Sequence, residues 1–123
     1  MYELTIITEF EAAHKIDDYP GKCARLHGHN WKVEVAVASK KLDDLGMVID
    51  FRALKEKVNK VIETFDHHYL NELPVFQDSI PTAENISKII FDELQNKFPD
   101  EIILRYVQVW ESPRSAVKYS LED

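Results

Sequence analysis

Two histidines one residue apart, His27-Gly28-His29, open a stretch whose apolar side chains alternate through Trp31, Val33, Val35 and Val37. In an extended strand, residues two apart point to the same face, with Cα atoms roughly 6.6 Å apart. Two imidazoles can close that span onto one divalent ion at about 2.1 Å per nitrogen. His14 can supply a third ring. It lies near the end of an earlier extended run, provided the two runs pair as a hairpin around the turn at Pro20-Gly21. Three neutral imidazoles leave a tetrahedral ion one open position, which suits polarising a substrate oxygen, whereas a fourth protein ligand closes the site. Cys23 sits between the two runs and keeps three readings open. It is a fourth ligand, a small buried apolar group, or a thiolate base favoured by Lys22, Arg25 and a nearby metal.

Two further positions carry carboxylates. Asp66-His67 joins an acid to an imidazole in a stretch without period, and alone it reads first as a helix end with a histidine near its negative pole. Glu111 follows Val107 to Trp110 and precedes Pro113, so taken singly it is a rim carboxylate facing solvent.

The elements that must position these groups follow from hydrophobic spacing. Residues 2 to 16, with Thr5, Ile6, Ile7 and Thr8, read as a first strand, and His27 to Ser39 as a second, half-buried one. Asp50 is placed to cap a helix whose apolar side chains Phe51, Leu54, Val58, Val61, Ile62 and Phe65 recur at three- and four-residue steps. Residues 66 to 80 read as a connection. Thr82 caps a second helix running through Ile86, Ile89, Ile90 and Leu94 to near Phe98, where Pro99 stops it. Val107, Val109 and Trp110, then Val117, Tyr119 and Leu121, fit a final hairpin broken at Ser112-Pro113. The order strand, strand, helix, helix, strand, strand favours an α+β domain, an antiparallel sheet with both helices on one face.

The 123 residues suit one domain spanning 1–123. The net charge of −7 argues against general affinity for nucleic acid or anionic membranes. No apolar run approaches the roughly 20 residues that span a bilayer. The opening Met1-Tyr2-Glu3-Leu4 lacks the basic and apolar regions of a leader peptide. With a single cysteine, the expectation is a reducing, cytoplasmic setting. Between His14 and Lys32 the balance reverses, Lys15, Lys22, Arg25 and Lys32 standing against Asp17 and Asp18. That reversal suits an anionic ligand as well as it suits a solvated loop.

Five separated pieces carry a resemblance. They are Phe10-Glu11-Ala12-Ala13-His14, Cys23-Ala24-Arg25-Leu26-His27-Gly28-His29, Asp66-His67-His68-Tyr69-Leu70-Asn71, Pro81-Thr82-Ala83-Glu84-Asn85 and Val109-Trp110-Glu111. In this order the chain resembles, nearly end to end, the family of 6-pyruvoyltetrahydropterin and 6-carboxytetrahydropterin synthases. The resemblance implies the tunnelling fold: a four-stranded antiparallel sheet with two helices on one face, sheets joining around a barrel, and a hexamer built from two trimers. It implies Zn2+ on His14, His27 and His29, Cys23 as general base, and Asp66 with His67 as the relay that tunes it. It also implies Glu111 as anchor of a pterin ring, with Thr82 adding a polar contact. The implied reaction is that of a lyase. It converts 7,8-dihydroneopterin triphosphate to 6-carboxy-5,6,7,8-tetrahydropterin, releases acetaldehyde and triphosphate, and leads towards 7-deazaguanine nucleosides such as queuosine. A 6-pyruvoyl product that keeps the three-carbon side chain is the neighbouring expectation. A reading from another class is a non-catalytic, zinc-stabilised assembly protein whose coordination sphere Cys23 closes.

Overall fold

A computed structural model of the chain describes residues 1–17, 21 and 25–121. Strand β1 (Tyr2–His14) and strand β2 (His27–Ser39) pair antiparallel along their whole length, from Tyr2 opposite Ser39 to His14 opposite His27. The alternation in the sequence sets this register, because a slip of one residue would turn every apolar side chain to the wrong face. Ile6, Phe10, Ala12 and His14 of β1 are buried, together with Trp31, Val33, Val35 and Val37 of β2. Thr5, Ile7, Glu9 and Glu11 point the other way and are exposed. The sheet therefore has one packed face and one that is largely bare, apart from the buried Ala36 and Ala38 of β2.

Helix α1 (Phe51–Ile62) starts where Asp50 accepts a hydrogen bond from the Arg52 amide at 2.7 Å. It buries Leu54, Val58, Val61 and Ile62. A two-residue strand, β3 (His68–Tyr69), pairs parallel with β1 at Ala12 and Ala13. Helix α2 (Ala83–Leu94) starts at Thr82, whose hydroxyl oxygen accepts from the Asn85 amide at 3.1 Å. It ends at Leu94, short of the expected Phe98, which is part-buried against the core. Strands β4 (Ile103–Ser112) and β5 (Ser115–Tyr119) form the final antiparallel hairpin, β4 lying beside β2. Both helices contribute to the hydrophobic cluster on the packed face, and Thr8 Oγ1 donates to Asn59 Oδ1 at 2.9 Å to tie β1 to α1.

The sheet order is β3-β1-β2-β4-β5. Its four longer strands are the antiparallel set expected, and the short parallel strand makes the whole sheet mixed. A two-residue strand has no period to read, and the segment taken as a plain connection also holds short 3-10 turns at Leu70–Glu72 and Pro74–Phe76. They bury Leu70 and Phe76. The first strand stops at His14 rather than residue 16 because Lys15 turns to a side chain. The Lys15 amide donates to Asn71 Oδ1 at 2.9 Å, and Asn71 Nδ2 donates back to the Lys15 carbonyl at 2.8 Å. Among the described residues, no helix is long and apolar enough to cross a membrane.

Candidate metal centre

The full pairing of β1 with β2 brings the last residue of one strand opposite the first of the other, so His14 and His27 meet by register. His29 follows on the same face, paired with Ala12. Ring centroids are 4.4 Å apart for His14 and His27, 5.1 Å for His14 and His29, and 4.6 Å for His27 and His29. Trp31 continues the alternation beneath them, fully buried, edge-on to His14 at 4.9 Å and to His29 at 5.1 Å. Its indole N–H donates to the Ala12 carbonyl at 3.2 Å, and Phe10 stacks behind it at 5.9 Å. An aromatic floor thus fixes two of the three rings from below, a supporting role that spacing two residues beyond His29 would have revealed.

Two rings are oriented by backbone carbonyls. His14 Nδ1 lies 2.7 Å from the Pro81 oxygen, and His27 Nδ1 lies 2.7 Å from the Arg25 oxygen. A carbonyl only accepts, so each of these nitrogens carries the hydrogen and leaves Nε2 with a bare lone pair. That is the tautomer a metal ligand needs. Burial holds His14 and His29 below the ordinary imidazole value of 6.5, partly opposed by Glu111. The neutral, ligating form is accordingly favoured at both.

Glu111 was read alone as a solvent-facing rim carboxylate, and the fold corrects this. Val107, Val109 and Glu111 share the packed face of β4, and Glu111 Oε1 reaches 3.1 Å from His29 Nε2 and 3.5 Å from His14 Nε2. Both of those nitrogens are buried, and neither has a hydrogen-bond partner among the described residues. A carboxylate oxygen against a lone pair is repulsive unless a proton or a cation lies between them. Ligand atoms of His14, His27, His29 and Glu111 all fall within 4.8 Å of one another. The donor set, three imidazoles and a carboxylate, is one that zinc accepts, so the residues present fit a metal ion.

The other expected site residues are dispersed. Thr82 caps α2 directly after Pro81, the residue that holds His14, and its hydroxyl hydrogen remains available to donate. Asp66 and His67 are joined, with Asp66 Oδ1 3.0 Å from His67 Nδ1. The pair is clamped to Glu11. Asp66 Oδ1 accepts from the Glu11 amide at 2.9 Å, the His67 amide donates to the Glu11 carbonyl at 2.6 Å, and His67 Nε2 lies 3.3 Å from Glu11 Oε2. The hydrogen bond from the Glu11 amide, reinforced by His67, holds the Asp66 carboxyl below its usual value. His67 adopts φ 60, left-handed backbone that is uncommon outside glycine and costs about 1 kcal/mol or more. The Glu11 side chain leaves the sheet on its bare face, so the Asp66–His67 pair lies at the β1 edge. Among the described residues no hydrogen bond or ion pair joins it to the three rings, although His67 and His29 line one cavity. Cys23 lies outside the described residues. Of the nearby cations, Lys15 pairs with Asp17 at 3.3 Å, and Lys32 leaves β2 on the bare face rather than beside the rings. Neither of these two cations is gathered at the metal cluster, and Lys22 lies outside the described residues.

The family model described as 6-pyruvoyl tetrahydropterin synthase matches residues 3–122. The chain belongs to the 6-pyruvoyl tetrahydropterin synthase family. It is 51% identical over 92 residues to a putative 6-carboxy-5,6,7,8-tetrahydropterin synthase of Archaeoglobus fulgidus, covering 75% of each chain. To the 6-carboxy-5,6,7,8-tetrahydropterin synthase of a Synechocystis strain it is 38% identical over 115 residues, covering 89% of this chain and 86% of that one. Its fold is similar to that of Caenorhabditis elegans 6-pyruvoyl tetrahydropterin synthase, with a TM-score of 0.86 and 27% identity over 98% of this chain and 96% of the other. The protein is thus a pterin synthase family enzyme of α+β tunnelling fold, with a cluster able to hold a metal.

Proposed function

We propose that this family member is a zinc-dependent 6-carboxytetrahydropterin synthase, a carbon–carbon lyase acting on 7,8-dihydroneopterin triphosphate. With one water consumed, its products would be 6-carboxy-5,6,7,8-tetrahydropterin, acetaldehyde and triphosphate, on the route to 7-deazaguanine nucleosides such as queuosine, in the cytoplasm. The observation that carries the reading is the convergence of His14, His27 and His29 with Glu111 at the sheet end, in a chain whose archaeal and cyanobacterial relatives bear the 6-carboxy name.

His14, His27 and His29 would hold zinc through Nε2, and the Pro81 and Arg25 carbonyls keep two of those rings in the ligating tautomer. Bound there, zinc supplies positive charge that makes the side-chain hydroxyls of a substrate easier to deprotonate. Glu111 accepts hydrogen bonds from the amidine-like N–H edge of the pterin and so fixes the ring, a task that suits a carboxylate's two parallel acceptors. Thr82 contributes a hydroxyl donor. Cys23, as thiolate, removes a substrate proton, and His67, kept in one tautomer by Asp66, returns one. With Asp66 and His67 clamped at the β1 edge to Glu11 rather than bonded to their own chain's rings, they would serve the metal site of a neighbouring copy. That requirement fits a homohexamer of two trimers.

The test is to incubate zinc-replete protein with dihydroneopterin triphosphate and identify the pterin by mass spectrometry. A 6-carboxy product with equimolar acetaldehyde is expected. The likeness in fold to the nematode 6-pyruvoyl enzyme favours the second reading, and retention of all three side-chain carbons would establish it. No turnover by folded, metal-loaded protein would leave the zinc-stabilised assembly reading.

A further inference from the structure

We propose that the bare face of the sheet carries an oxyanion-binding site built from Lys32, Trp110, Asn30 and Ser112, which takes a phosphate-type group. These residues bound a cavity of about 470 Å³ with Gly28 and Pro113, and it borders the metal cluster at His29 and Glu111. Lys32 and Trp110 are register partners on β2 and β4, and both leave the sheet opposite the face that buries Val33 and Val109.

Two observations point to a missing ligand. The Trp110 indole N–H is shielded from solvent yet has no acceptor among the described residues, and an unmet buried donor is costly. Lys32 is also without a carboxylate partner. Glu9 is its register partner on β1, but among the described residues no carboxylate oxygen comes within 4.0 Å of its ammonium, which instead lies 4.8 Å from the Trp110 ring centroid. Lys32 is half-buried, and its charge stands beside the unmet Trp110 donor.

The chemistry of the lining selects the ligand. Ammonium and indole N–H groups only donate, and the Asn30 amide can donate. Ser112 Oγ already accepts from the Arg114 amide at 3.3 Å, so its hydrogen is free to be given. The Glu111 carboxylate, the acid that borders the cavity, turns its Oε1 towards the imidazoles on the other face. A set of convergent donors with one full positive charge requires a compact, acceptor-rich anion, and phosphate oxygens meet that requirement. Lys32 moves off the ring face to meet the anion, while the indole N–H gains its acceptor. The site does not depend on the identity of the pterin product.

The experiment titrates inorganic triphosphate and orthophosphate into the full-length protein, zinc-loaded and chelator-stripped, by calorimetry and tryptophan fluorescence. Lys32→Gln keeps the side-chain stem, and Trp110→Phe keeps a ring while removing the N–H; circular dichroism confirms that each is folded. Saturable triphosphate binding is expected in both metal states, about tenfold weaker in each variant. No saturable binding by wild type, unchanged affinity in both folded variants, or binding that vanishes on chelation would overturn the site. Steady-state kinetics separates the sources of the phosphate. A raised KM for dihydroneopterin triphosphate in Lys32→Gln with kcat kept assigns the site to a substrate's phosphate tail. An unchanged KM with weakened triphosphate binding assigns it to free phosphate. Failure to convert any pterin would sink the proposed reaction and leave the binding result standing.

Discussion

Replacing Glu111 by glutamine isolates the contact that makes the case for a metal. In the metal-free protein, Oε1 stands 3.1 and 3.5 Å from two Nε2 atoms, and the Pro81 carbonyl ensures that the His14 nitrogen is a lone pair. An acid there faces an acceptor, whereas an amide of the same shape can turn its NH2 towards the ring and donate. Glu111→Gln should therefore stabilise the metal-free protein near pH 8 by about 0.5–1.5 kcal/mol, the usual net worth of one added hydrogen bond. For a chain of this size that is a rise in Tm of roughly 2–6 °C. The sign should reverse on acidification. Protonated rings are held by the carboxylate and not by the amide, in keeping with the upward pull of Glu111 on both His14 and His29. Zinc affinity should fall by about tenfold, since a negative charge beside two of the ligating nitrogens is lost. Scanning calorimetry of stripped protein at pH 8 and pH 5.5, with competitive zinc titration, reads all three effects. A stripped Glu111→Gln protein less stable than wild type at pH 8, or one with undiminished zinc affinity, would refute the argument.

Three further outcomes can be checked with the same protein. Stripped wild type should lose stability as pH falls below 6.5. The folded-state pKa values of His14 and His29 are lowered, so the unfolded chain takes up protons first and the neutral folded form is favoured only above that range; urea midpoints that stay flat from pH 7.5 to 5.5 would contradict this. Cys23→Ala should keep zinc and the folded oligomer while turnover falls by at least about a hundredfold, whereas metal loss with unfolding would place the sulfur among the structural ligands. Thr82→Ala should cost about 1 kcal/mol through the lost cap on the Asn85 amide, and an unchanged denaturation midpoint would remove that cap from the account.

The elements legible in the sequence were those with a period or a cap. β2 begins and ends where alternation from His27 to Ser39 places it, and Asp50 and Thr82 start the helices because each offers an oxygen to an unpaired amide. The turn of Glu111 towards the rings was legible too, since it shares parity with Val107 and Val109. The nearby Pro113 drew the reading towards an exposed rim. The same parity separates Lys32 from His29 and Trp31, so closeness along the chain misled where closeness on one face is what counts. The parallel strand at His68 could not be read because it arises from long-range clamping by Asp66 and His67 on Glu11, not from any local pattern. The carbonyls that orient His14 and His27 belong to Pro81 and Arg25. The sequence names these residues and says nothing of where their backbone oxygens point.

The division of the site between the two sheet faces leads to a last expected outcome. Three rings face the helices at one end of the sheet, while Asp66 and His67 sit at the β1 edge beside an exposed Glu11. If a neighbouring copy supplies the relay, each site draws its rings from one chain and its relay from another. β1 offers the edge for this, being covered by β3 only at Ala12 and Ala13. A His29→Ala chain then lacks ligands but donates an intact relay, and a His67→Ala chain is the converse. Each alone should be inactive. Unfolded together and refolded at equal amounts, they should recover about one quarter of wild-type activity, because a random pairing of neighbours assembles one intact site in roughly four. The recovery should grow with the time allowed for exchange and be absent when the two proteins are mixed without dissociation. If mixed oligomers form, as native mass spectrometry would show, and no activity returns, the relay belongs to the same chain's rings, and the face assignment of Asp66 and His67 fails with it.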